Sequence, residues 1–267
     1  MSRIEACFQA LRAAGGPALV AYVTGGDPSH ETSRDILLAL ERGGADLVEV
    51  GVPFSDPIAD GPAIQRATER ALAAGGTLGR SLDLVADVRS AMAAPIVLFT
   101  YVNPVLRMGV DRFVDRAAEA GVDGVLLLDL PIEESSATSQ ALRARGLDQI
   151  FLVSPTTSDR RLAEAGAYGR GFLYAISRLG VTGARDAVAA SAAPLVARLR
   201  AATSLPIALG FGISRPEHVR AVCEYADAAV VGSAIVQVIA EEAAAGRAPA
   251  PKVEQFVRWL KTGAQSQ

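Results

Sequence analysis

Histidine and cysteine, which supply many metal ligands and catalytic groups at neutral pH, are scarce in this sequence, with two of each among 267 residues. Cys7 and Cys223 show neither CxxC nor metal-ligand spacing, so we interpret both as small hydrophobic residues. His30 and His218 do not lie at the end of any predicted strand. The sequence therefore gives little support for a histidine base and predicts no bound metal.

Positive charge and long apolar runs are also lacking. The net charge is −3, the sequence pI is about 5.5, and no basic tract alternates with aromatic residues. These features argue against nucleic acid and anionic membranes as partners. No apolar run approaches the roughly 20 residues that span a bilayer. Residues 1–16 have the spacing of an amphipathic helix rather than of a signal peptide, and we expect a cytoplasmic protein.

What the sequence does contain is an alternation of short apolar, β-branched runs with segments of helical spacing. The eight candidate strands are residues 18–23, 46–50, 96–101, 124–128, 149–153, 171–176, 207–209 and 228–231. Most lack polar alternation, as expected of parallel strands covered on both faces. The helical segments include residues 31–42, 112–120, 133–145, 190–202, 216–224 and 233–245. Several end at a glycine suited to the left-handed position after a helix, namely Gly43, Gly121, Gly146 and Gly246.

This alternation predicts the fold class. Eight βα units in about 250 residues, without a hairpin signal, favour an α/β fold: a single TIM (β/α)8 barrel with an extra N-terminal helix. A doubly wound open sheet is the alternative. The Pro- and Gly-rich places are too brief to be linkers, so we expect residues 1–267 to form one domain.

Two carboxylates in residues 46–62, DLVEVGVPFSDPIADGP, occupy very different settings. Glu49 lies inside a predicted strand, whereas Asp60 closes a proline-containing loop and precedes a Gly-Pro helix start. Carboxylates in such different environments can differ in acidity, which suits proton-transfer chemistry. Two ordinary roles remain as alternatives. Glu49 could form a structural ion pair with a residue distant in sequence, and Asp60 could help to cap the helix that begins near Pro62.

Glycines follow the seventh and eighth predicted strands, in the sequences GFGIS at residues 210–214 and GS at residues 232–233. Glycine lets the backbone approach a ligand closely, and each loop leads into a helix whose first amides can bind an anion. These loops are the usual phosphate position in a TIM barrel. The alternative is that Ser214 and Ser233 serve only as helix N-caps.

The stretch VEVGVPFSDPIADGPAIQRA strongly resembles the signature of the tryptophan synthase α subunit family. Further segments similar to that family are YVTGGDP at 22–28, FTYVNPV at 99–105, LLDLPIEES at 127–135, LVSPTTSDRR at 152–161, YAISRLGVTGAR at 174–185, GFGIS at 210–214 and VVGSAIV at 230–236. The resemblance thus covers essentially the whole chain. It implies a TIM barrel that cleaves indole-3-glycerol phosphate to indole and glyceraldehyde 3-phosphate by a retro-aldol reaction, with no cofactor on this subunit.

The resemblance also implies roles for individual residues. Glu49 and Asp60 match the family's catalytic glutamate and aspartate. The residues expected to bind substrate are Tyr22, Tyr174, Thr182, Gly183, Phe211, Gly212, Gly232 and Ser233. The family pairs with a pyridoxal-phosphate (PLP)-dependent β subunit in an αββα heterotetramer that makes L-tryptophan. The residues expected at that interface are Ser55, Asp56, Asn103, Pro104, Asp129, Pro131 and Glu134.

Three other functions remain open. The chain could be a stand-alone lyase that releases free indole. It could also be an inactive barrel kept to bind and activate a β subunit, although such a protein would be expected to lose the carboxylate pair that is present here. A different phosphate-binding barrel enzyme would be expected to lack the PFSDPxADGP loop.

Overall fold

The computed structural model describes residues 1–176, 184–210 and 212–263, without the side chains of residues 184–191. The helices are α1 (Arg3–Ala14), α2 (His30–Arg42), α3 (Pro62–Ala73), α4 (Leu78–Arg89), α5 (Val102–Met108), α6 (Val110–Ala120), α7 (Ser136–Ala144), α8 (Asp159–Tyr168), α9 (Ala184–Ala202), α10 (Pro216–Cys223), α11 (Ser233–Ala244) and α12 (Pro249–Thr262). The strands are β1 (Leu19–Thr24), β2 (Leu47–Gly51), β3 (Ile96–Thr100), β4 (Gly124–Leu127), β5 (Asp148–Val153), β6 (Leu173–Ile176), β7 (Ile207–Gly210) and β8 (Ala228–Val231).

The eight strands form a closed barrel in sequence order, and every neighbouring pair is parallel. The predicted TIM barrel is therefore confirmed, and the open-sheet alternative is wrong. Strands β1 and β2 are buried along their whole length, which explains their continuous apolar sequence. That residues 1–267 form one domain stays a prediction.

Most predicted elements are present, and most of their boundaries differ by no more than two residues. The helix predicted at residues 190–202 begins earlier, at Ala184, as α9. The strand 228–231 has the predicted limits, and the other strands begin and end within two residues of theirs. The predicted helix 133–145 is instead a short 3-10 helix, Ile132–Glu134, followed by α7. The prediction for Gly43 is also wrong, because Gly43 keeps a right-handed helical conformation and Gly44 adopts the positive φ of 99°.

The predicted N-terminal helix closes the bottom of the barrel, at the amino ends of the strands. Ser2 and Glu5 form a capping box at the start of α1. The buried side chains of Ile4 and Phe8 pack against the barrel interior, where the rings of Phe8 and Phe172 are 5.7 Å apart. The lower interior is therefore filled by apolar side chains, which leaves the opposite end of the barrel for a ligand.

No helix within the described residues is both long and apolar enough to cross a membrane.

Candidate active site

Glu49 points into the barrel from β2 and is fully buried. Neither of its carboxylate oxygens has a hydrogen-bond partner among the residues that the structure describes. Burial disfavours the charged carboxylate and raises the pKa of Glu49 to about 8. The alternative of a structural ion pair thus finds no partner in the described part of the chain. At neutral pH this side chain is a protonated acid that can donate a proton.

Asp60 lies half-buried in the loop between β2 and α3. Its Oδ2 atom accepts a hydrogen bond of 3.2 Å from the hydroxyl of Tyr101. Burial raises the pKa of Asp60 to about 6, and the bond from Tyr101 opposes that rise. The N-cap of α3 is Gly61, without a side-chain capping bond, so the alternative capping role of Asp60 is wrong. Asp60 is therefore ionised at neutral pH, unlike Glu49.

Three aromatic rings line the interior beside these carboxylates. Tyr22 stands opposite Glu49 in the pairing of β1 with β2, and its ring lies 5.3 Å from that of Phe99. Phe99 lies in turn 6.3 Å from Tyr174. The pKa of Tyr22 is raised by burial and, to a smaller extent, by the charges of Asp60 and Glu49. Tyr22 therefore faces both carboxylates, and the three rings offer an apolar wall to a flat ligand.

Two strand glycines make room for the tyrosine hydroxyls. A Cβ atom at Gly210 would lie 2.5 Å from the hydroxyl oxygen of Tyr174, and one at Gly51 would overlap the hydroxyl of Tyr22. Each glycine is the last residue of its strand, at the upper end of the barrel. The orientation of both tyrosines thus depends on the absence of a side chain on a neighbouring strand.

The glycine loops after β7 and β8 lie at the same upper end of the barrel. Gly212 is exposed and has a positive φ of 69°, and Gly232 is the N-cap of α11, without a side-chain capping bond. Ser233 is exposed in the first turn of that helix. The N-caps of α10 and α11 are Arg215 and Gly232, so the alternative role of Ser214 and Ser233 as N-caps is wrong. The predicted substrate residues Thr182, Gly183 and Phe211 lie outside the described residues.

The residues predicted for the partner interface also follow the upper ends of strands. Asn103 and Pro104 follow the third strand, as predicted, and belong to the first turn of helix α5. The exposed members of the predicted set are Ser55, Asp56, Asn103, Asp129, Pro131 and Glu134, and Pro104 is half-buried. Asp129 accepts a hydrogen bond of 2.7 Å from the backbone N–H of Val102, the first residue of α5. Their role at an interface stays a prediction.

Sequence reasoning assigned no role to two contributors to this site. Phe99 connects the two tyrosine rings, and Tyr101 binds Asp60. Their position at the end of the third predicted strand was the available signal, but a strand end alone does not identify what a side chain contacts. No group of three His, Cys, Asp or Glu side chains in residues 1–176, 184–210 and 212–263 could hold a metal ion.

Comparison with known proteins adds an independent finding. Residues 8–265 match the family model described as tryptophan synthase alpha chain. A protein of that name from Solibacter usitatus is 49% identical over 263 residues, which covers 98% of each chain.

Solved structures give the same result. A tryptophan synthase structure from Mycobacterium tuberculosis superposes with a TM-score of 0.88 and 38% identity, covering 100% of this chain and 99% of the other. A chain of the tryptophan synthase a2b2 complex from Pyrococcus furiosus superposes with a TM-score of 0.85 and 39% identity, covering 92% of this chain and 98% of the other. From these matches over nearly its whole length, the chain belongs to the tryptophan synthase alpha chain family.

Proposed function

We propose that this chain is a lyase that cleaves indole-3-glycerol phosphate to indole and D-glyceraldehyde 3-phosphate, with Glu49 and Asp60 as its catalytic residues. The observation that carries the proposal is the Glu49 carboxyl group, fully buried at the upper end of the barrel with neither oxygen hydrogen-bonded among the described residues. Burying such a group costs several kcal/mol of free energy. A carboxyl group that is stabilised by no neighbour is explained by a substrate that supplies the missing partner.

Glu49 is suited to move the protons of this reaction. Cleavage requires a proton to be added to indole C3 and a proton to be removed from the hydroxyl group on the adjacent side-chain carbon. The carbon–carbon bond then breaks, its electrons return to the indole ring, and the hydroxyl-bearing carbon becomes the aldehyde. With a pKa of about 8, Glu49 holds a proton at neutral pH, donates it to C3 and then accepts the hydroxyl proton. No net oxidation or reduction occurs.

Asp60 is suited to stabilise the charge that forms in the ring. Protonation at C3 makes the indole nitrogen electron-poor, and its N–H becomes a stronger hydrogen-bond donor. With a pKa of about 6, Asp60 is a carboxylate at neutral pH and accepts this hydrogen bond. An anion fixed beside a developing positive charge lowers the free energy of the transition state.

The remaining predicted substrate residues suit the two ends of the molecule. The rings of Tyr22 and Tyr174 border the indole. The backbone amides at Gly232 and Ser233, where α11 begins without a side-chain cap, bind the phosphate together with the loop at Gly212. We assign Gly183 to the phosphate and Thr182 and Phe211 to the substrate from the resemblance alone. Phosphate binding supplies energy for orientation at the distant reacting carbon.

The product indole passes to a β subunit that carries the pyridoxal phosphate and makes L-tryptophan, while this chain needs no cofactor of its own. The family relative from Pyrococcus furiosus is described as part of an a2b2 complex. We therefore propose an αββα heterotetramer in the cytoplasm. The exposed residues around Ser55, α5 and Asp129 form its contact face.

Indole release from indole-3-glycerol phosphate, measured for the purified chain alone and with a family β subunit, tests the proposal. We expect slow release alone and strong acceleration by the β subunit. The Asp60→Asn variant should lose about 100-fold or more in turnover, because it removes the anion that faces the indole nitrogen. Fast release that the β subunit does not change would favour a stand-alone lyase. No release from folded protein that still binds the β subunit would overturn the proposed reaction.

A further inference from the structure

The hydroxyl group of Tyr101 holds the end of the loop that carries Asp60. It donates a hydrogen bond of 3.2 Å to Asp60 Oδ2 and accepts one of 3.0 Å from the backbone N–H of Ala59. The Tyr101 ring also contacts Phe54, near the start of the same loop, with the ring centroids 5.2 Å apart. One side chain therefore contacts both ends of the segment between β2 and α3.

The backbone on both sides of Tyr101 is hydrogen-bonded to neighbouring parts of the barrel. Tyr101 lies between the last residue of β3 and the first residue of α5, and the residue is 3% exposed. On one side, the carbonyl of Thr100 accepts a hydrogen bond from the N–H of Leu128 on the neighbouring chain segment. On the other side, Asp129 binds the N–H of Val102. The backbone on both sides of Tyr101 is thus fixed by the barrel and not by the exposed loop.

From these contacts we propose that Tyr101 is a positioning residue for Asp60. Its hydroxyl holds the carboxylate at the mouth of the barrel and favours the charged form over the protonated form. The inference deepens the proposed function and rests on it for the role of Asp60, but the contact can be tested without turnover. A catalytic carboxylate on a loop gains accuracy when a neighbouring rigid element donates a hydrogen bond to it.

The surroundings of Asp60 make its titration a sensitive test of this contact. The titratable groups near Asp60 among the described residues are Tyr101 at the end of β3 and Tyr22 on β1, with Asp129 beyond Tyr101 and Glu49 beyond Tyr22. From α3, the uncharged Gln65 donates to the backbone carbonyl of Asp60. Within the described part of the chain no cation contacts the carboxylate, so loss of the Tyr101 hydroxyl removes its one side-chain donor.

The experiment is a carbon-detected NMR titration of the Asp60 carboxyl group in the full chain, assigned with Asp60→Asn and repeated in Tyr101→Phe. Phenylalanine keeps the ring and its contact with Phe54, and circular dichroism with the thermal midpoint checks that the variant is folded. We expect the Asp60 midpoint to move upward by about 0.5–1 pH unit, the equivalent of one lost hydrogen bond. In the complex with the β subunit, kcat should fall about tenfold at pH 7 while KM changes by less than about threefold.

Tyr225→Phe is the matched control, because it removes a buried tyrosine hydroxyl that has no hydrogen-bond partner among the described residues. This variant should leave the Asp60 midpoint and kcat unchanged. An Asp60 midpoint that stays at the wild-type pH in Tyr101→Phe overturns the inference, whatever happens to kcat. If the wild-type complex releases no indole, the proposed function fails, and the titration still decides whether Tyr101 acts on Asp60.

Discussion

The two ends of the barrel treat buried carboxylates in opposite ways. At the bottom, Asp148 is 1% exposed, accepts a hydrogen bond of 2.5 Å from Ser2 and pairs with Arg170 at 3.2 Å. At the top, Glu49 is fully buried with neither oxygen hydrogen-bonded among the described residues. Burial raises the pKa of both, but only at Asp148 do Ser2 and Arg170 oppose the rise. A buried carboxylate with partners connects elements of the fold, and a buried carboxyl group without them is available for chemistry.

Hydrogen-bond and ion-pair partners, and not the end of the barrel alone, distinguish a structural buried carboxylate from one available for chemistry. Asp27 follows β1 at the same end as Glu49 and is 1% exposed, but it forms two hydrogen bonds with Arg70 of α3, at 2.7 and 2.8 Å. It therefore fixes α3 against the barrel. Buried carboxylates near an active site should be sorted by what satisfies them before a catalytic role is assigned.

Replacing Glu49 should have the largest effect on activity. Glu49→Gln keeps the size of the side chain but removes the proton donor, so indole release should fall about 1,000-fold or more. Stability should not fall with it. The raised pKa of Glu49 means that ionisation increasingly favours the unfolded chain as the pH rises from about 4.5 to about 8. The free energy of unfolding of the variant relative to wild type should therefore increase over that range, as measured by urea denaturation.

The matched control is Glu119→Gln, the same chemical change at an exposed position of α6. It should alter neither turnover nor stability. Near-normal turnover of a folded Glu49→Gln chain would contradict a catalytic role for Glu49, and with it the contrast between this carboxyl group and the structural carboxylates at the bottom of the barrel.

Removing the paired carboxylate of Asp123, at the bottom of the barrel, should have the second-largest effect. It should lower the stability of the fold and leave the reaction unchanged. Asp123 binds Arg3 at 2.7 Å, Arg89 at 3.2 Å and the backbone N–H of Ile96 at 2.8 Å. Asp123→Ala leaves these donors without their shared acceptor, and the free energy of unfolding should fall by about 3 kcal/mol. The kcat of the folded fraction should stay at the wild-type value.

Asp83→Ala provides the comparison, since Asp83 is exposed and its pair with Arg116 lies at the surface. That change should cost less than about 1 kcal/mol of stability. A similar cost for both substitutions would contradict the structural role given to Asp123.

The smallest expected effect is the pH dependence of indole release, which compares the ionisation of Asp60 with that of Glu49. Asp60 must be ionised, so activity is lost as the pH falls below about 6, and Glu49 must be protonated, so activity is lost as the pH rises above about 8. The profile of kcat/KM should be bell-shaped, with about a tenfold decrease for each pH unit beyond either limb. A rate that stays constant from pH 5 to pH 9 would contradict the assigned protonation states, since both limbs lie inside that range.

The sequence anticipated those parts of the molecule that local patterns encode. Continuous apolar runs gave the strands, and the segment from Glu49 to Asp60 gave both candidate catalytic residues. Local patterns were weaker where two conformations differ little in energy. Gly43 and Gly44 could each end α2, and only the helix geometry selects Gly44 for the left-handed conformation.

Some features depended on contacts between distant parts of the chain. No sequence pattern shows that Tyr101 binds Asp60, 41 positions earlier in the chain. Nor does any pattern show that Tyr22 on β1 lies opposite Glu49 on the neighbouring strand β2. The sequence also did not show that Asn103 and Pro104 lie in a helix, although proline is accepted in the first turn of a helix such as α5.

The sequence by itself predicted the strands, the helices and the favoured barrel, because hydrophobic periodicity and conformational preferences are local properties. The family and the roles of Glu49 and Asp60 came from the resemblance of its motifs to a known family. The tertiary structure alone decided which buried carboxylates are paired and which are not. That distinction depends on burial and on partners from other strands, since the cost of a buried charge is set by everything that surrounds it. The difference between Asp148 and Glu49 is therefore a property of the folded barrel.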